Sequence, residues 1–426
     1  MATQMTAAQA AQAAAQANNA ARSAVLANSI EALQLIASQA GLNPATQSVV
    51  NITPRNVGLI RGFWVHVGTQ FTTPITLTYT RTIAGPSNLL SLVTFNDLSN
   101  QQRIQCQGWY LTTLDTARRR GPSNASLLST GAISAGLVSQ ASGIDTPFGY
   151  QANATSNFAS GTTTQVPLMS APATLSASTT YQLDMWYYVP ISYTDRDLRG
   201  AIYAGVVNSV MNLQLSFNFN NFVAASTGDP TLAVYQSSAG LPSLTSWTWG
   251  VEVYQDFLDQ LPFSSQGPIL PFQDLAWSYL LNTSAFTGMA VGQDYPIPFP
   301  NFRNIQSVTT WYDNGGVVQA TATNNSGYTD INYYALQSAN YTNIFKVSPA
   351  MQAILTRNLL DVDFPRTLGY FDFRRKPYST VQYGNLNLII NPASVVTTNG
   401  TPQFLVGWEQ LAQQNQIVGA GSIAGG

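Results

Sequence analysis

Strict alternation of polar and apolar residues is the feature that most restricts the fold of this chain. Residues 212–220 read Asn-Leu-Gln-Leu-Ser-Phe-Asn-Phe-Asn, and residues 181–185 and 385–388 repeat the pattern. Successive side chains of a β-strand point to opposite faces, so a period of two predicts strands with one face in a core. Further strand candidates, separated by Gly, Pro and Asn clusters, are 59–71, 75–81, 246–254, 305–312, 369–373 and 403–408. Many short strands without long helices between them predict an all-β sandwich or barrel.

Turns and joins divide this β-rich region. Residues 313–316 read Asp-Asn-Gly-Gly and predict a tight hairpin turn, because Asn and Gly accept a positive φ. Residues 119–165 are small and polar and predict a long loop, which opens with the basic run 118–120, interpreted as a solvated turn. Residues 226–245 predict a join between two halves, with the boundary near residue 240.

The first 45 residues form a different kind of segment. Ala and Gln dominate the first 40, which contain neither Gly nor Pro, and this composition predicts a helix from about residue 6 to residue 39. Gly41 and Pro44 supply its end. Apolar residues recur at helical spacing and predict one stripe, Val25, Leu26, Ile30, Leu33 and Ile36. This amphipathic arm is expected to face the protein's own body, a partner or a membrane surface.

A low charge density limits the partners of the chain. Only 8% of the 426 residues are charged, against about 25% in an ordinary soluble domain, and the net charge is −2. Two lysines and scattered arginines do not supply the row of phosphate contacts that nucleic-acid binding requires, so direct sequence-specific nucleic-acid binding is not expected. A surface with so little repulsion favours association with copies of itself. The length predicts two domains of roughly 200 residues each.

Residues capable of chemistry are few. The sole histidine, His66, is interpreted as structural, and the sole cysteine, Cys106, as an inert thiol. No signal peptide or membrane span is expected, and neither a metal site nor a cofactor is predicted. Short acidic pairs are interpreted as turn and capping residues: Asp195 and Asp197, Asp256 and Asp259, Asp361 and Asp363. The sequence therefore gives no positive argument for an enzyme.

Several runs, in order and at similar spacing, resemble the tectivirus major capsid protein family, the coat proteins of membrane-containing phages. In the second half these are residues 254–262 (YQDFLDQLP), 269–271, 274–275, 313–316, 329–333, 363–365, 376–377 and 382–385; in the first half they are 56–58, 62–63, 197–201 and 233–236. The resemblance covers most of the chain after about residue 50. It implies two jelly-roll β-barrels in one chain, a double jelly roll, preceded by the amphipathic helix.

The resemblance also implies an organisation and a function. The domains are expected to be an N-terminal helical arm, 1–45, a first jelly roll, 46–240, with the exposed loop 119–165 between its fourth and fifth strands, and a second jelly roll, 241–426. The expected function is that of a major capsid protein, whose homotrimer is a pseudo-hexagonal capsomer that tiles an icosahedral shell around an internal membrane and a DNA genome. Its low charge is then explained by side walls buried against neighbours.

Partners and location follow from the same resemblance. The arm is expected to contact the internal viral membrane, and the shell is expected to include penton or vertex proteins and minor capsid proteins. The protein is expected in the virion capsid after synthesis and assembly in the host bacterial cytoplasm. An alternative is a jelly-roll carbohydrate-binding or host-attachment protein with a shallow site of clustered Trp and Asp. A third is a glycosidase that uses Asp256 and Asp259.

Overall fold

The computed structural model describes residues 6–82, 85–119, 169–170, 174–204, 209–228, 231–240, 244–265, 267–301, 303–313, 330–338, 341–360, 368–374, 377–379, 384–395 and 400–413. The expected turn at 313–316 lies outside these residues after Asp313, and the expected loop at 119–165 lies outside them after Arg119. The helices are α1 (Ala7–Asn28), α2 (Gly108–Arg119), α3 (Phe272–Leu275) and α4 (Pro349–Leu360).

The first unit, residues 30–259, is a jelly roll of two facing sheets. Its strands are β1 (Ile30–Leu42), β2 (Val49–Ile52), β3 (Leu59–Thr72), β4 (Tyr79–Arg81), β5 (Leu90–Asn96), β6 (Gln102–Cys106), β7 (Met169–Ser170), β8 (Thr174–Leu175), β9 (Thr180–Pro190), β10 (Ile202–Tyr203), β11 (Asn212–Phe217), β12 (Val223–Ala224), β13 (Tyr235–Ser237) and β14 (Thr245–Asp259). One sheet has the order β1-β14-β3-β9-β7, the other begins β2-β11-β5-β6, and a small sheet has the order β12-β13-β4-β8. Alternate apolar side chains of the two facing sheets fill the core between them.

The second unit, residues 277–413, repeats this arrangement. A short ribbon of β15 (Phe263–Ser264) and β16 (Gly267–Pro268) precedes it. Its strands are β17 (Trp277–Thr287), β18 (Tyr295–Pro298), β19 (Asn304–Asp313), β20 (Ile331–Ser338), β21 (Tyr341–Val347), β22 (Leu368–Asp372), β23 (Tyr378–Ser379), β24 (Leu386–Pro392) and β25 (Gln403–Gln413). The strand orders β17-β25-β19-β22 and β18-β24-β20-β21 match those of the first unit. Helix α4 follows β21 as α2 follows β6, so the chain is an architectural duplication.

A parallel pair of strands joins the two units into one body. Strand β6 ends the second sheet of the first unit, and it pairs with β17, where Leu281 lies opposite Ile104 and Asn282 opposite Gln105. One sheet of each unit thereby becomes part of a single nine-stranded sheet. The orientation of one jelly roll against the other is therefore set by backbone hydrogen bonds as well as by side-chain packing.

The predicted N-terminal helix is wrong beyond residue 28. Helix α1 begins at Ala7; its N-cap residue, Thr6, forms a capping box with Gln9, and its C-cap residue, Ser29, is extended. Residues 30–42 are instead strand β1, paired with β14 along most of its length. The hydrogen bonds that β1 makes with the distant strand β14 override the helix propensity of residues 30–42. Ile30, Leu33 and Ile36 therefore do not continue a helical stripe that begins at Val25 and Leu26.

The predicted boundary near residue 240 is also displaced. Strand β14 lies between β1 and β3, in the middle of the first unit's sheet. A division into 46–240 and 241–426 would remove the strand that joins β1 to its own barrel. The segment after α2 follows β6, the fifth of the eight barrel strands, and precedes β9, the sixth. The expectation that this segment joins the fourth and fifth strands is therefore wrong.

Candidate assembly site

Helix α2 packs across the outer face of the second unit's sheet. Trp109 contacts the edge of Trp311 with ring centroids 5.4 Å apart. The ring of Tyr110 lies above Gly407, where any Cβ would overlap it. Both aromatic residues of α2 are fully buried. A glycine in the middle of a long strand is thus explained by the close approach of a helix from the other unit.

A buried ionic group lies beneath the same helix. Arg118 forms an ion pair with Glu409 of β25, whose side chain has no exposed surface. The Glu409 carboxylate also accepts hydrogen bonds from the Tyr279 hydroxyl at 3.2 Å and from Ser307 Oγ at 2.5 Å. Burial raises the pKa of Tyr279, so this hydroxyl remains a donor at neutral pH. The interpretation of the basic run as a solvated turn is wrong for Arg118.

A second polar cluster stabilises the first unit. Arg61 lies 2.7 Å from Asp256 and 3.0 Å from Glu31, and the Tyr188 hydroxyl donates to Asp256 at 3.0 Å. Asp259 is exposed, and its carboxylate accepts a hydrogen bond from the backbone of the next residue. The two acids named for a glycosidase therefore have ordinary structural partners. Among the other pairs, Asp197 binds Arg199 at 2.6 Å, whereas positions 361 and 363 lie outside the described residues.

The N-terminal arm is attached to the protein's own body. Val25 is fully buried in a cluster with residues of the first unit, and Leu26 packs against the same cluster. The Asn18 amide donates to Asp274 at 3.0 Å, and Arg22 lies 3.2 Å from the same carboxylate. Burial is the largest influence on Asp274 and raises the pKa of its carboxyl. These contacts hold α1 against α3.

The five residues of the predicted stripe have different environments. Val25 and Leu26 face the protein, and Ile36 packs against the first core from strand β1. Ile30 and Leu33 are more than half exposed. The structure therefore does not bring these side chains to one surface. Leu33 and its neighbour Leu35 are apolar side chains on the outer face of an edge strand, which sequence periodicity did not indicate.

An aromatic face covers the outside of the first unit's sheet. His66 stacks on Trp186 with ring centroids 4.3 Å apart, and Trp186 lies 6.1 Å from Tyr254. The imidazole lies between Asp184, 3.3 Å away, and Glu252, 3.5 Å away. The hydrogen bond with Asp184 is the main influence that raises the pKa of His66. His66 thus belongs to a polar and aromatic surface cluster.

The remaining features that the sequence analysis considered are the cysteine, a metal site and a membrane-spanning helix. Cys106 is buried in the first core, and burial raises the pKa of its thiol. Across the described ranges, no group of three or more His, Cys, Asp or Glu side chains is placed to hold a metal ion. Within those same ranges, no helix combines the length and apolar character that a membrane crossing needs.

Two jelly rolls in one chain, fused through a shared sheet, place the protein in the double jelly-roll class. Family models of the P3 major capsid protein match residues 1–261 (N-terminal model) and 277–425 (C-terminal model). Major capsid protein P3 of Enterobacteria phage PRD1 is 34% identical over 410 residues, which cover 96% of this chain and 94% of that protein. The chain belongs to the P3 major capsid protein family, as the resemblance to tectivirus coat proteins predicted.

Solved structures agree with this fold. The crystal structure of the STIV MCP has a TM-score of 0.56 at 10% sequence identity and covers 90% of this chain and 97% of its own. PBCV-1 VP54 has a TM-score of 0.54 at 10% identity, with 90% and 94% of the two chains covered. At such low identity the likeness is one of fold alone. The prediction of a double jelly roll is confirmed.

Proposed function

We propose that the protein assembles as a homotrimer, a pseudo-hexagonal capsomer that tiles an icosahedral shell around an internal membrane and a DNA genome. The duplication supports this proposal best: each chain holds two similar barrels fixed by one sheet and a buried ion pair. Three copies then supply six similar barrels, and a threefold block acquires the six-cornered outline that packs without gaps. Penton or vertex proteins and minor capsid proteins would complete the shell, which assembles in the host bacterial cytoplasm.

The proposed role is structural and not catalytic. Asp256 is bound to Arg61 and Tyr188, and Cys106 is a buried thiol with a raised pKa. Neither arrangement presents an activated group to a substrate. Incubation of the wild-type protein with a panel of glycans should give no hydrolysis; hydrolysis that is lost when both Asp256 and Asp259 are replaced with Asn would refute the structural role.

Light scattering followed by electron microscopy tests the capsomer. The expected result is a particle near three times the 45.9 kDa of the chain, with a hexagonal outline that forms sheets on dialysis. A stable monomer or dimer at micromolar concentration would refute the proposal. The aromatic face around Trp186, with Asp184 beside it, supports the alternative of a carbohydrate-binding protein. That alternative predicts glycan binding by a discrete particle that never forms lattices.

The membrane contact would fall to the exposed part of helix α1. Val25 is buried, and Arg22 is paired with Asp274, so neither is free to bind lipid. Residues 7–17 are exposed and consist of Ala and Gln, which makes each helix a weak interfacial anchor. Binding must therefore come from many copies together. Co-sedimentation of assembled lattices with phospholipid vesicles should fall at least tenfold on deletion of residues 1–17; equal binding would refute the contact.

A further inference from the structure

Strand β1 exposes an apolar edge. Among the residues that the structure describes it is the end strand of its sheet, and along most of its 13 residues it pairs with β14 on one side. Leu33 is 59% exposed, and Ile30 and Leu35 are exposed as well. An exposed, apolar edge of this length offers unpaired backbone groups to another strand and usually requires a cover. The first unit therefore has a surface that is suited to strand addition.

The second unit has a complementary surface at its opposite end. Strand β21 is the last strand of the order β18-β24-β20-β21 within the described residues, and helix α4 follows it. One face of α4 is apolar and exposed, comprising Met351, Ile354, Leu355 and Leu359. Its other face is fixed to the barrel by Thr356, which donates to the backbone carbonyl of Tyr370 at 3.2 Å. A cleft of about 230 Å³ beside α4 is lined by Phe345, Leu355 and Leu359, among others.

The chain itself contains the covered counterpart of this surface. Strand β6 ends at Cys106 and α2 begins at Gly108; strand β21 ends at Val347 and α4 begins at Pro349. The two strand–helix pairs thus have the same spacing and the same place in their barrels. In the first unit, β6 adds in parallel to β17 and α2 packs over the sheet of the second unit. By analogy with β6 and α2, the exposed strand β21 and helix α4 are suited to bind the edge strand and the outer face of a jelly-roll sheet.

A shared bulge aligns the two sheets residue by residue. In the second unit the register between β25 and β19 shifts directly after Glu409, which lies opposite Ser307. In the first unit the register between β14 and β3 shifts directly after Asp256, which lies opposite Gly62. Conserved strand order and a bulge at the same place make Asp256 the structural counterpart of Glu409.

The next ladder extends this correspondence to the edge strands. Glu409 lies opposite Leu281 of β17, and Asp256 lies opposite Leu33 of β1. Leu281 is fully buried because β6 pairs beside it at Ile104, whereas its counterpart Leu33 is 59% exposed. Among the described residues, strand β6 lies beside Leu281, and no strand lies beside Leu33 on the side away from β14. Ile104 lies two residues before the end of β6, and Phe345 lies two residues before the end of β21, so Phe345 is the counterpart of Ile104.

We infer that β21 of one copy pairs in parallel with β1 of a second copy, so that Phe345 lies opposite Leu33 and Lys346 opposite Gln34. Helix α4 then covers the aromatic face formed by Trp64, Trp186 and Tyr254, as α2 covers the second unit's sheet within one chain. The inference rests on the proposed self-assembly and names its surfaces. The contact joins two different surfaces, and repeating it closes a ring of three copies when each contact turns the chain by one third of a full rotation, as the proposed trimer requires.

Disulfide cross-linking tests the register directly. Paired strands lie about 4.8 Å apart, within the reach of a disulfide. Oxidation of the Gln34→Cys, Lys346→Cys double variant by an added mild oxidant should therefore give covalent dimers and trimers on a non-reducing gel. Each single variant should stay monomeric on the gel, because Cys106 is buried. The Gln34→Cys, Asn343→Cys pair is displaced by about 10 Å along the strand and should cross-link at least tenfold less.

Charge substitutions on exposed positions test the surfaces without touching a core. Leu33→Asp and Ile354→Glu should each convert the trimer to monomers at concentrations where the wild type is fully trimeric. Ile75→Glu is the matched control, because Ile75 is 81% exposed and lies outside both surfaces. It should remain trimeric. Equal near-ultraviolet circular dichroism of all three variants would show that the barrels are intact.

The outcomes separate this inference from the proposed function. A wild-type monomer in light scattering would refute the trimer and, with it, the inference. A wild-type trimer that survives both Leu33→Asp and Ile354→Glu, or that yields no cross-link in the 34/346 pair, would refute the inference alone. An internal disulfide in a monomer would also refute it. Loss of glycan binding without loss of the trimer, after substitution of Trp186, would assign the aromatic face to a carbohydrate.

Discussion

Arg118, from a helix of the first jelly roll, forms an ion pair with Glu409, a fully buried carboxylate of the second. The guanidinium also lies over the ring of Tyr193, 4.6 Å from its centroid. Both side chains of the ion pair are removed from water only because the two units are packed together. The pair therefore reports on the junction between the units.

Substitution of Arg118 should destabilise the protein strongly. Arg118→Met leaves the Glu409 carboxyl buried without its cationic partner, and breaking a buried pair in this way typically costs about 3–5 kcal/mol of unfolding free energy. Urea unfolding at fixed protein concentration would measure it. Arg199→Met is the control, because the Arg199–Asp197 pair is partly exposed and such pairs contribute about 0–1 kcal/mol. Equal effects of the two substitutions would contradict the special role of Glu409.

The contact between Tyr110 and Gly407 predicts an overpacking defect. A methyl group in Gly407→Ala would overlap the Tyr110 ring, and the expected cost is about 1–3 kcal/mol. The thermal unfolding midpoint should fall, and Tyr110→Leu in the same chain should restore part of it by removing the ring. Gly240→Ala should have little effect, since no atom lies within 4 Å of the added Cβ. A midpoint unchanged by Gly407→Ala would be incompatible with the observed helix position.

His66 predicts a dependence of stability on pH. Asp184 and Glu252 face its imidazole, and they raise its pKa in the folded protein above the unfolded value of about 6.5. The contribution is fully present below that unfolded pKa and disappears as pH rises through the higher folded pKa. The difference in unfolding midpoint between wild type and His66→Gln should therefore shrink between pH 6 and pH 9. A difference that grows over this range would show that the sign is wrong.

The sequence was most informative where a strand buries one face. Alternation predicted strands at 212–220, 181–185 and 385–388, and the structure has strands at 212–217, 180–190 and 386–392, because the pattern arises locally from the pleat of a strand. It did not reveal that residues 30–42 leave the helix. Nothing within the segment marks the change, and its ladder is supplied by β14, more than 200 residues later.

The parts of the assembly site were visible only in three dimensions. Arg118 looked like a member of a basic run, and Glu409 is one acid between Trp and Gln. These two residues form an ion pair only because the two barrels pack together, and no spacing in the sequence predicts that packing. Leu33 was singled out, but for a helical stripe; the observed exposure comes from its place on an edge strand. A match of Glu409 to Asp256 required the two bulges to be compared.

The attachment of the N-terminal arm gives a final prediction. The Asn18 side chain donates to Asp274 at 3.0 Å and accepts from the backbone of Gln273 at 2.9 Å, so it joins α1 to α3 by two hydrogen bonds. Asn18→Ala removes both and leaves the Asp274 carboxylate with one partner fewer in a buried place, at a cost of about 1–3 kcal/mol. That cost falls on the docking of α1 alone.

The expected result is selective release of the arm. Tryptic cleavage after Arg22 should become at least fivefold faster in Asn18→Ala, because a detached helix opens to the protease while the barrels stay folded. Asn28→Ala is the matched control: Asn28 is exposed and bonds only within the helix, to the carbonyl of Ala24. It should leave the cleavage rate within twofold of the wild type. Equal rates in both variants would mean that Val25 and its apolar neighbours hold the arm without help from the amide.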